Sequence, residues 1–390
     1  MGVSSAARGR FLPVVTLIVV SVAAAAPSSP GPFRTLYAFG DSLTDTGNTH
    51  STTGPYSFGA SHPPYGATFF HHPTNRYSDG RLVVDFLAID ALALPSFLPP
   101  YLSTLSRNAT ATKAKYFGVN FAVAGATAIE HEFFVRQNLS ANITPQSIMT
   151  QLGWFDTHLR ARRAAGGGSK DEGVGDALFW VGEIGANDYG YSFMAPDALP
   201  SERIRSMAID RITTFLEGLL KRGARYVAVQ GMPLIGCLPL TMTLSQPGER
   251  DNLSCVAPLN QKSLGHNQHL QARLHRLRRS HPDAIIAYAD YHAAHLAVVR
   301  SPARYGFAEP FKACCGTGGG AYNFQIFSTC GSPEVDTACA QPARYVNWDG
   351  VHMTEAMYKV VAGMFFHDAT GAYCRPTFCS LLAARKDHGQ

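Results

Sequence analysis

The segment with the clearest chemical potential is the motif GDSLTDTGN at 40–48, which directly follows the apolar run Leu36–Phe39. In a parallel sheet, ligands bind beyond the carboxyl ends of the strands, so Ser42 is expected to project its hydroxyl toward a substrate. A hydroxyl in that position can attack a carbonyl carbon if a base accepts its proton. The same letters also suit an ordinary strand-to-helix turn that Asp41 or Ser42 caps.

A second candidate group lies near the C-terminus, where Asp349 and His352 are three residues apart. A serine hydroxyl is a weak nucleophile at neutral pH, and imidazole is suited to accept its proton. The base in turn needs a carboxylate that holds its tautomer and stabilises the imidazolium. One turn of backbone can place the Asp349 carboxylate against the His352 ring, so these two residues and Ser42 are candidates for a catalytic triad.

Two further segments contain groups that can stabilise the oxyanion formed when a carbonyl is attacked. Gly125, in NFAVAGA at 120–126, offers an unhindered backbone N–H, and Asn187, in GAND at 185–188, offers a side-chain amide. The backbone N–H of Ser42 is the third candidate donor. The loss of one such donor typically costs about 3 kcal/mol of transition-state stabilisation. Close packing is the alternative interpretation for Gly125, and turn capping is the alternative for Asn187.

These groups need a scaffold, and the sequence predicts one in which strands alternate with helices. Short apolar runs that end at Gly or Asp are typical of buried parallel strands. They occur at 36–39, 179–181, 226–229 and 284–288. A helical pattern runs from Ser201 to Gly223, and the last helix is predicted to follow Met353. This alternation predicts an α/β sandwich around a mostly parallel sheet.

The composition indicates a globular, exported chain. The 390 residues are 46% hydrophobic and 16% charged, which excludes a disordered or fibrous protein, and a net charge of +5 gives no reason to expect nucleic acid. Arg8 and Arg10 precede an apolar stretch that ends in four alanines at 23–26, a pattern typical of a secretory signal peptide. We therefore expect a signal peptide at 1–26, with an uncleaved anchor as the alternative, and a single domain at 27–390. No other stretch has the length and apolar character of a membrane span.

Cysteines and glycosylation sequons agree with export. All eight cysteines lie between Cys237 and Cys379. An even number in a secreted chain indicates disulfides, whose pairing the sequence leaves open. The cysteine-rich segment 312–340 is expected to be a disulfide-tied loop. The N-x-[ST] rule gives candidate glycosylation sites at Asn108, Asn138, Asn142 and Asn252.

The order GDS…G…GxND…DxxH resembles the SGNH hydrolases and, more narrowly, the plant GDSL esterase/lipase family. The segments FGDSLTDTGN at 39–48, SDGR at 78–81 and CCG at 314–316 are also similar to that family. The resemblance implies a flavodoxin-like three-layer α/β/α sandwich, the SGNH hydrolase fold, without the nucleophile elbow G-x-S-x-G. It implies Ser42 as nucleophile, Asp349 and His352 as its triad partners, and an oxyanion hole formed by Ser42, Gly125 and Asn187.

We therefore expect a secreted serine carboxylic-ester hydrolase that forms an acyl-serine intermediate and requires no metal or organic cofactor. By analogy with the family, its substrates are short acyl esters, notably acetyl esters, of cell-wall polysaccharides or small molecules. The alternatives are a lipase acting on longer acyl chains, an acyltransferase using the same acyl-serine, and a non-catalytic glycan-binding wall protein. The expected location is the apoplast or cell wall, with the Golgi lumen as the alternative. The oligomeric state stays open.

Two further sets of side chains have less specific interpretations. The segments 49–81 and 312–340 are expected to shape the acyl and alcohol pockets. Their aromatic residues either stack on a sugar or pack in the core: Tyr56, Phe58, Tyr65, Phe69, Phe70, Tyr77 and Tyr322. The histidine pairs can bind a metal in principle, and surface or interface histidines are the simpler interpretation: His71, His72, His292 and His295.

Overall fold

The computed structural model describes residues 1–2, 33–49, 59–105, 117–139, 144–164, 173–192, 199–317 and 319–387. The secondary structure of these residues lies within one compact unit, Gly31–Gln390. Several sequence predictions fall outside the described residues: the signal peptide beyond residue 2, Asn108, Asn142, Tyr56 and Phe58. The domain boundary predicted at residue 27 stays a prediction.

Eight strands are described, of which six form the central sheet. They are β1 (Leu36–Phe39), β2 (Gly118–Asn120), β3 (Leu178–Val181), β4 (Tyr226–Gln230), β5 (Ile285–Ala289), β6 (Glu309–Ala313), β7 (Tyr345–Asn347) and β8 (Cys374–Arg375). The sheet order is β2-β1-β3-β4-β5-β8, parallel except where β8 pairs with β5. The order 2-1-3-4-5 is that of flavodoxin-like folds, which confirms the predicted mostly parallel sheet. β6 and β7 form a separate parallel pair.

The helices connect these strands. The described α-helices are α1 (Val83–Phe86), α2 (His131–Arg136), α3 (Ile148–Ala164), α4 (Ala186–Ser192), α5 (Ser201–Lys221), α6 (Pro239–Leu244), α7 (Ala257–Ser280), α8 (Tyr291–Arg300), α9 (Glu355–His367) and α10 (Phe378–Asp387). A π-helical turn, Leu87–Ala91, continues α1. Short 3₁₀ turns occupy Gly59–Ser61, Tyr101–Leu105, Ile235–Cys237, Pro247–Glu249, Pro302–Tyr305 and Pro342–Arg344. Within the described ranges, none of the helices combines the length and apolar character that a bilayer crossing requires.

Helices cover both faces of the sheet. On one face, Phe155 of α3 and Phe215 of α5 pack edge-on against Phe39 of β1, with ring centroids 5.8 and 5.2 Å apart. On the other face, Trp180 of β3 packs against Phe365 of α9. Because successive side chains of a strand point to opposite faces, strands covered in this way are apolar at every position, as β1 and β3 are. The three layers confirm the predicted α/β/α sandwich.

The predicted elements are present with shifted bounds. The strands predicted at 179–181, 226–229 and 284–288 are β3, β4 and β5, and the helix predicted from Ser201 is α5. Gly223, with φ of +96°, ends α5 because its N–H and that of Ala224 bond the carbonyls of the last turn. The prediction that α9 is the last helix was wrong. β8 and α10 follow it, and Phe378 of α10 packs on Phe366 with ring centroids 4.9 Å apart.

Three disulfides are formed. Cys314–Cys339 and Cys315–Cys330 tie together the segment 312–340, as predicted, and Cys237–Cys255 closes a second loop. Cys374 and Cys379 form no disulfide in the described chain, so the even cysteine count does not mean complete pairing. Cys374 belongs to the edge strand β8 and is buried, whereas Cys379 lies exposed on α10.

Candidate active site

The structure joins Ser42, His352 and Asp349 in one chain of hydrogen bonds. The Oγ of Ser42 lies 2.8 Å from Nε2 of His352, and the Nδ1 of His352 lies 2.8 Å from Oδ2 of Asp349. All three residues are more than nine-tenths buried. The imidazole can therefore take the hydroxyl proton on one side while the carboxylate holds its tautomer on the other.

Ser42 lies in a tight turn directly after β1. Gly40 ends the strand with φ of +137°, and a Cβ there would lie 3.1 Å from the carbonyl oxygen of Glu183. The side-chain amide of Gln151 fixes this glycine twice, since it accepts from the Gly40 N–H at 2.9 Å and donates to the Gly40 carbonyl at 2.8 Å. Oδ1 of Asp41 then accepts the N–H of Leu43 at 2.9 Å. The turn thus presents Ser42 at the carboxyl edge of the sheet without a regular helix behind it.

Asp349 and His352 belong to a second turn, between β7 and α9. Oδ1 of Asp349 accepts the backbone N–H groups of Val351 and His352, both at 2.7 Å. Thr354 caps α9 by accepting the N–H of Met357 at 3.2 Å. Burial raises the pKa of Asp349, but the His352 imidazole and the two backbone donors outweigh it and hold the pKa below its ordinary value. Asp349 is therefore kept as a carboxylate.

Two tyrosines for which the sequence left sugar stacking and core packing open are buried around the triad, so core packing is the correct interpretation for both. The Oη of Tyr65 donates to Oδ2 of Asp349 at 2.7 Å, and the ring of Tyr77 lies 4.5 Å from that of His352. Both tyrosines are buried, so they are unavailable to stack on a sugar. Phe69 and Phe70 lie nearer the surface, where cation–π contacts join them to Arg81 and Arg76 respectively.

Side chains of the segment SDGR at 78–81 bind the first residue of α9. Oδ1 of Asp79 accepts the N–H of Glu355, the first residue of α9, at 2.7 Å. Arg81 pairs with the Glu355 carboxylate at 2.7 Å. A carboxylate beside the first N–H groups of a helix is favourable, because those groups carry the positive end of the helix dipole. The contacts fix the helix that follows His352.

The motif after Ser42 positions the loop that contains Gly125. Oδ2 of Asp45 accepts the N–H of Ala124 at 2.8 Å. The Nδ2 of Asn48 donates to the carbonyls of Asn120 and Ala122, both at 2.8 Å. The roles of Asp45 and Asn48 could not be predicted from residue type, and their positions inside the motif were the only signal in the sequence.

The predicted oxyanion donors lie around this loop. The N–H groups of Ser42 and Gly125 bond no acceptor within the described part of the chain. Gly125 has φ of +77°. The amide of Asn187 is engaged, since its Nδ2 donates to Oδ2 of Asp41 at 3.2 Å and to the Ala126 carbonyl at 3.0 Å. The N–H groups of Ser42 and Gly125 are thus available to an oxyanion. The Asn187 amide can donate to the oxyanion only if it shares or gives up its bond to Asp41 or to Ala126.

The remaining site predictions fall elsewhere on the chain. Asn138 and Asn252 are exposed, as glycosylation would require. His71 and His72 are exposed, whereas His295 is fully buried and burial lowers its pKa to about 3. Among the described residues, no group of three or more His, Cys, Asp or Glu side chains is arranged to hold a metal ion. The expectation that no cofactor is needed stays a prediction.

The parallel sheet and the Ser–His–Asp arrangement at its carboxyl edge define a serine hydrolase, and comparison with known proteins agrees. A family model described as GDSL-like Lipase/Acylhydrolase matches residues 36–364. A GDSL esterase/lipase of Arabidopsis thaliana is 50% identical over 376 residues, which cover 96% of each chain. Two further GDSL esterase/lipases of that plant are 37% and 39% identical over 93% and 95% of this chain and 90% and 89% of theirs.

The chain therefore belongs to the GDSL lipase/acylhydrolase family. It is a carboxylic ester hydrolase rather than a non-catalytic glycan-binding protein.

Proposed function

We propose that the protein is a secreted esterase that removes short acyl groups, acetyl above all, from cell-wall polysaccharides or small-molecule esters. The observation that carries the proposal is the 2.8 Å contact between Ser42 Oγ and His352 Nε2, continued to Asp349 through Nδ1. Such a relay makes a serine hydroxyl nucleophilic at neutral pH.

The reaction proceeds in two acyl transfers. Ser42 Oγ attacks the ester carbonyl while His352 takes its proton, and the tetrahedral intermediate collapses as His352 returns that proton to the departing alcohol. Water then attacks the acyl-serine, His352 accepts a proton from it, and the acid leaves as the proton passes back to Oγ. The N–H groups of Ser42 and Gly125 hold the oxyanion, with Asn187 as the third donor. No step requires a metal or an organic cofactor.

A pocket beside the catalytic turn supports a sugar as the alcohol half of the substrate. It measures about 560 Å³ and is lined by Met242, Thr243, Ser245, Pro247, Arg250, Ser254, Gly320, Ala321, Tyr322 and Phe324. The Phe324 ring packs closely on Gly350, which lies between Asp349 and His352. Hydroxyl groups and aromatic rings together suit a hydroxyl-rich ring with apolar faces.

The substrate proposal is tested with esters that share the acetyl group and differ in the alcohol. We expect release of acetate from acetylated xylan and from p-nitrophenyl acetate. Tyr322→Ala should raise the KM for xylan by about tenfold and leave the small ester unaffected, since it removes an aromatic ring of the pocket, together with its cation–π contact to Arg250, and no residue of the triad. Tyr322→Phe, which keeps the ring, is the matched control. Hydrolysis of the small ester alone would overturn the polysaccharide proposal and leave the esterase mechanism standing.

Longer acyl chains are the second candidate, because apolar side chains are exposed near the same turn. Ile326 and Phe327, which closely follow Phe324, are 49% and 92% exposed, and Val351 is 36% exposed. A series of p-nitrophenyl esters from acetyl to decanoyl separates the two cases. A kcat/KM that rises with chain length and falls in Phe327→Ser favours a lipase. Recovery of an acylated acceptor in place of free acid favours an acyltransferase.

Export to the apoplast or cell wall completes the proposal, with the Golgi lumen as the alternative. It is supported by the charged and apolar pattern at 1–26 and by the three disulfides, which persist in oxidising compartments. N-terminal sequencing of the protein recovered from plant cell-wall fluid should begin near residue 27. Enzymatic removal of N-glycans should lower the mass of the protein, because glycans are expected at Asn108, Asn138, Asn142 and Asn252. A mature protein that retains the N-terminal segment and carries no glycan would contradict export by this route.

A further inference from the structure

Two buried carboxyl groups lie side by side next to the nucleophile. Asp41 and Glu183 are 3% and 1% exposed, and their carboxyl groups are close enough that each shifts the pKa of the other. The backbone joins them as well, since the Asp41 N–H donates to the Glu183 carbonyl at 3.1 Å. Among the described residues, no Lys, Arg or His forms an ion pair with either carboxyl. Two carboxyl groups buried side by side without a cation cannot both stay charged, because like charges in a buried site repel, so one of them holds a proton.

The surrounding donors show which carboxyl holds the proton. Asp41 accepts the Leu43 N–H at Oδ1 and the Asn187 amide at Oδ2. Glu183 accepts the Ala186 N–H at Oε1, at 3.1 Å, and its Oε2 receives no donor. A carboxylate is stabilised by donors, so the charge belongs on Asp41 and the proton on Glu183. Burial raises the pKa of both groups, and the negative charge of Asp41 raises that of Glu183 further.

The Asp41–Glu183 pair adjoins two of the groups proposed to act on the substrate, Ser42 and Asn187. Asp41 precedes Ser42 in the chain and, through Oδ2, holds the amide of Asn187 at 3.2 Å. With Glu183 neutral, one negative charge lies next to the oxyanion hole in place of two, which limits repulsion of the developing oxyanion.

We propose that Glu183 is a positioning residue: as a neutral acid it donates its proton to Asp41, and the carboxylate held in this way fixes the Ser42 turn and the Asn187 amide. The inference rests on Ser42 and Asn187 having the roles proposed above. Glu183 touches no reacting atom and acts only through Asp41.

Glu183→Gln and Glu183→Met separate this role from a requirement for charge. Glutamine keeps both a donor for Asp41 and an acceptor for the Ala186 N–H, and it cannot ionise. Methionine fills similar space without either function. For p-nitrophenyl butyrate we expect the Met variant to lose about 10- to 100-fold in kcat with KM within about twofold, because the oxyanion donors are loosened. The Gln variant should keep kcat within about threefold of the wild type, since one neutral donor replaces another.

Three results would overturn the assignment: wild-type kcat in the Met variant, an effect confined to KM, or a Gln variant that falls as far as Met. If the Met variant does not fold, as circular dichroism would show, the Gln variant decides alone, and a drop of more than about tenfold overturns the proposal. Glu132→Gln, an exposed change on α2, is the matched control. Ser42→Ala on the same ester tests the nucleophile separately, so failure of that assignment is distinguishable from failure of this one.

Discussion

The hydroxyl of Tyr65 donates a 2.7 Å hydrogen bond to Oδ2 of Asp349, a residue 284 positions away in the chain. The same oxygen is 2.8 Å from Nδ1 of His352, and Oδ1 accepts two backbone N–H groups. The carboxylate is thus held by four donors from two separate segments. It cannot rotate away from the imidazole without breaking several charged hydrogen bonds, so His352 is kept in one orientation toward Ser42.

Tyr65→Phe should lower kcat by about three- to tenfold, because a hydrogen bond to a charged group is worth about 1.5–3 kcal/mol and only part of it acts on catalysis. The phenyl ring fills the same buried space, so the fold should be retained. Steady-state kinetics on a p-nitrophenyl ester provides the measurement.

The matched control is Tyr37→Phe, a buried tyrosine whose hydroxyl accepts a 2.6 Å bond from Arg162 at the opposite end of β1 from Ser42. That variant should lose stability and keep its kcat. Equal kcat values for the Tyr65→Phe variant and the wild type would show that the bond to Asp349 does not support catalysis.

Gly125→Ala should reduce both stability and kcat. The glycine has φ of +77°, and a Cβ would lie 2.9 Å from Oη of Tyr191 and closer still to Thr144. The loop must shift to admit the methyl group, which turns the Gly125 N–H away from the oxyanion. We expect kcat to fall by at least about tenfold. This is less than the fall of about 100- to 1,000-fold that complete loss of an oxyanion donor causes.

Gly190→Ala is the control for this substitution, because nothing lies within 4 Å of a Cβ at that helical position. Alanine should stabilise α4 by up to about 1 kcal/mol there. The kcat should therefore fall in the Gly125 variant alone, and the melting temperature should fall in that variant while it stays or rises in the Gly190 variant. An undiminished kcat for that variant would remove Gly125 from the oxyanion hole.

The stability contributed by Asp188 should decrease as the pH rises. Burial raises the pKa of Asp188 to about 7, although it accepts the N–H groups of Ala128 and Ile129. Since the folded-state pKa lies above the unfolded-state value of about 4, protons bind the folded state more tightly. The stability of the wild type relative to Asp188→Asn should therefore be greatest near pH 4 and fall until the pH exceeds 7.

Urea unfolding at pH 5 and pH 8 measures this difference. Asp156→Asn is the control. The Arg222 guanidinium lowers the pKa of Asp156, so Asp156 makes its full contribution to the free energy of unfolding at any pH above its unfolded-state pKa. The effect of the Asp156 substitution should be the same at both pH values. A pH-independent difference for Asp188→Asn would contradict the assigned shift.

Removal of the Cys315–Cys330 disulfide should lower the free energy of unfolding by about 3 kcal/mol, the entropic value for a loop of its 15-residue separation. The bridge belongs to a small buried cluster that also contains Tyr65 and Trp348. The Cys315→Ser/Cys330→Ser variant should therefore also lose activity at temperatures where the rest of the fold persists. Cys379→Ser, at an exposed and unpaired cysteine, should have no effect. Equal melting temperatures for the double variant and the wild type would contradict a stabilising role.

The sequence was sufficient for the parts of the site that depend on local pattern. Apolar runs ending at glycine or aspartate located β1, β3, β4 and β5, and the Asp–His spacing predicted a turn that the structure contains. It was insufficient where distant segments meet. Tyr65 reaches Asp349 only through the packing of residues 59–81, and nothing in its neighbourhood distinguishes it from a core tyrosine. Glu183 gains its proton only when Asp41 is buried beside it. Short edge strands such as β8 lack a pattern long enough to predict.

The most direct test of the mechanism is the rate at which folded Ser42→Ala hydrolyses p-nitrophenyl acetate. We predict a fall in kcat/KM of at least about 10³-fold with an unchanged melting temperature, because triad members act as a unit and the substitution removes the nucleophile. A folded variant that retains kcat/KM within tenfold of the wild type would contradict the account.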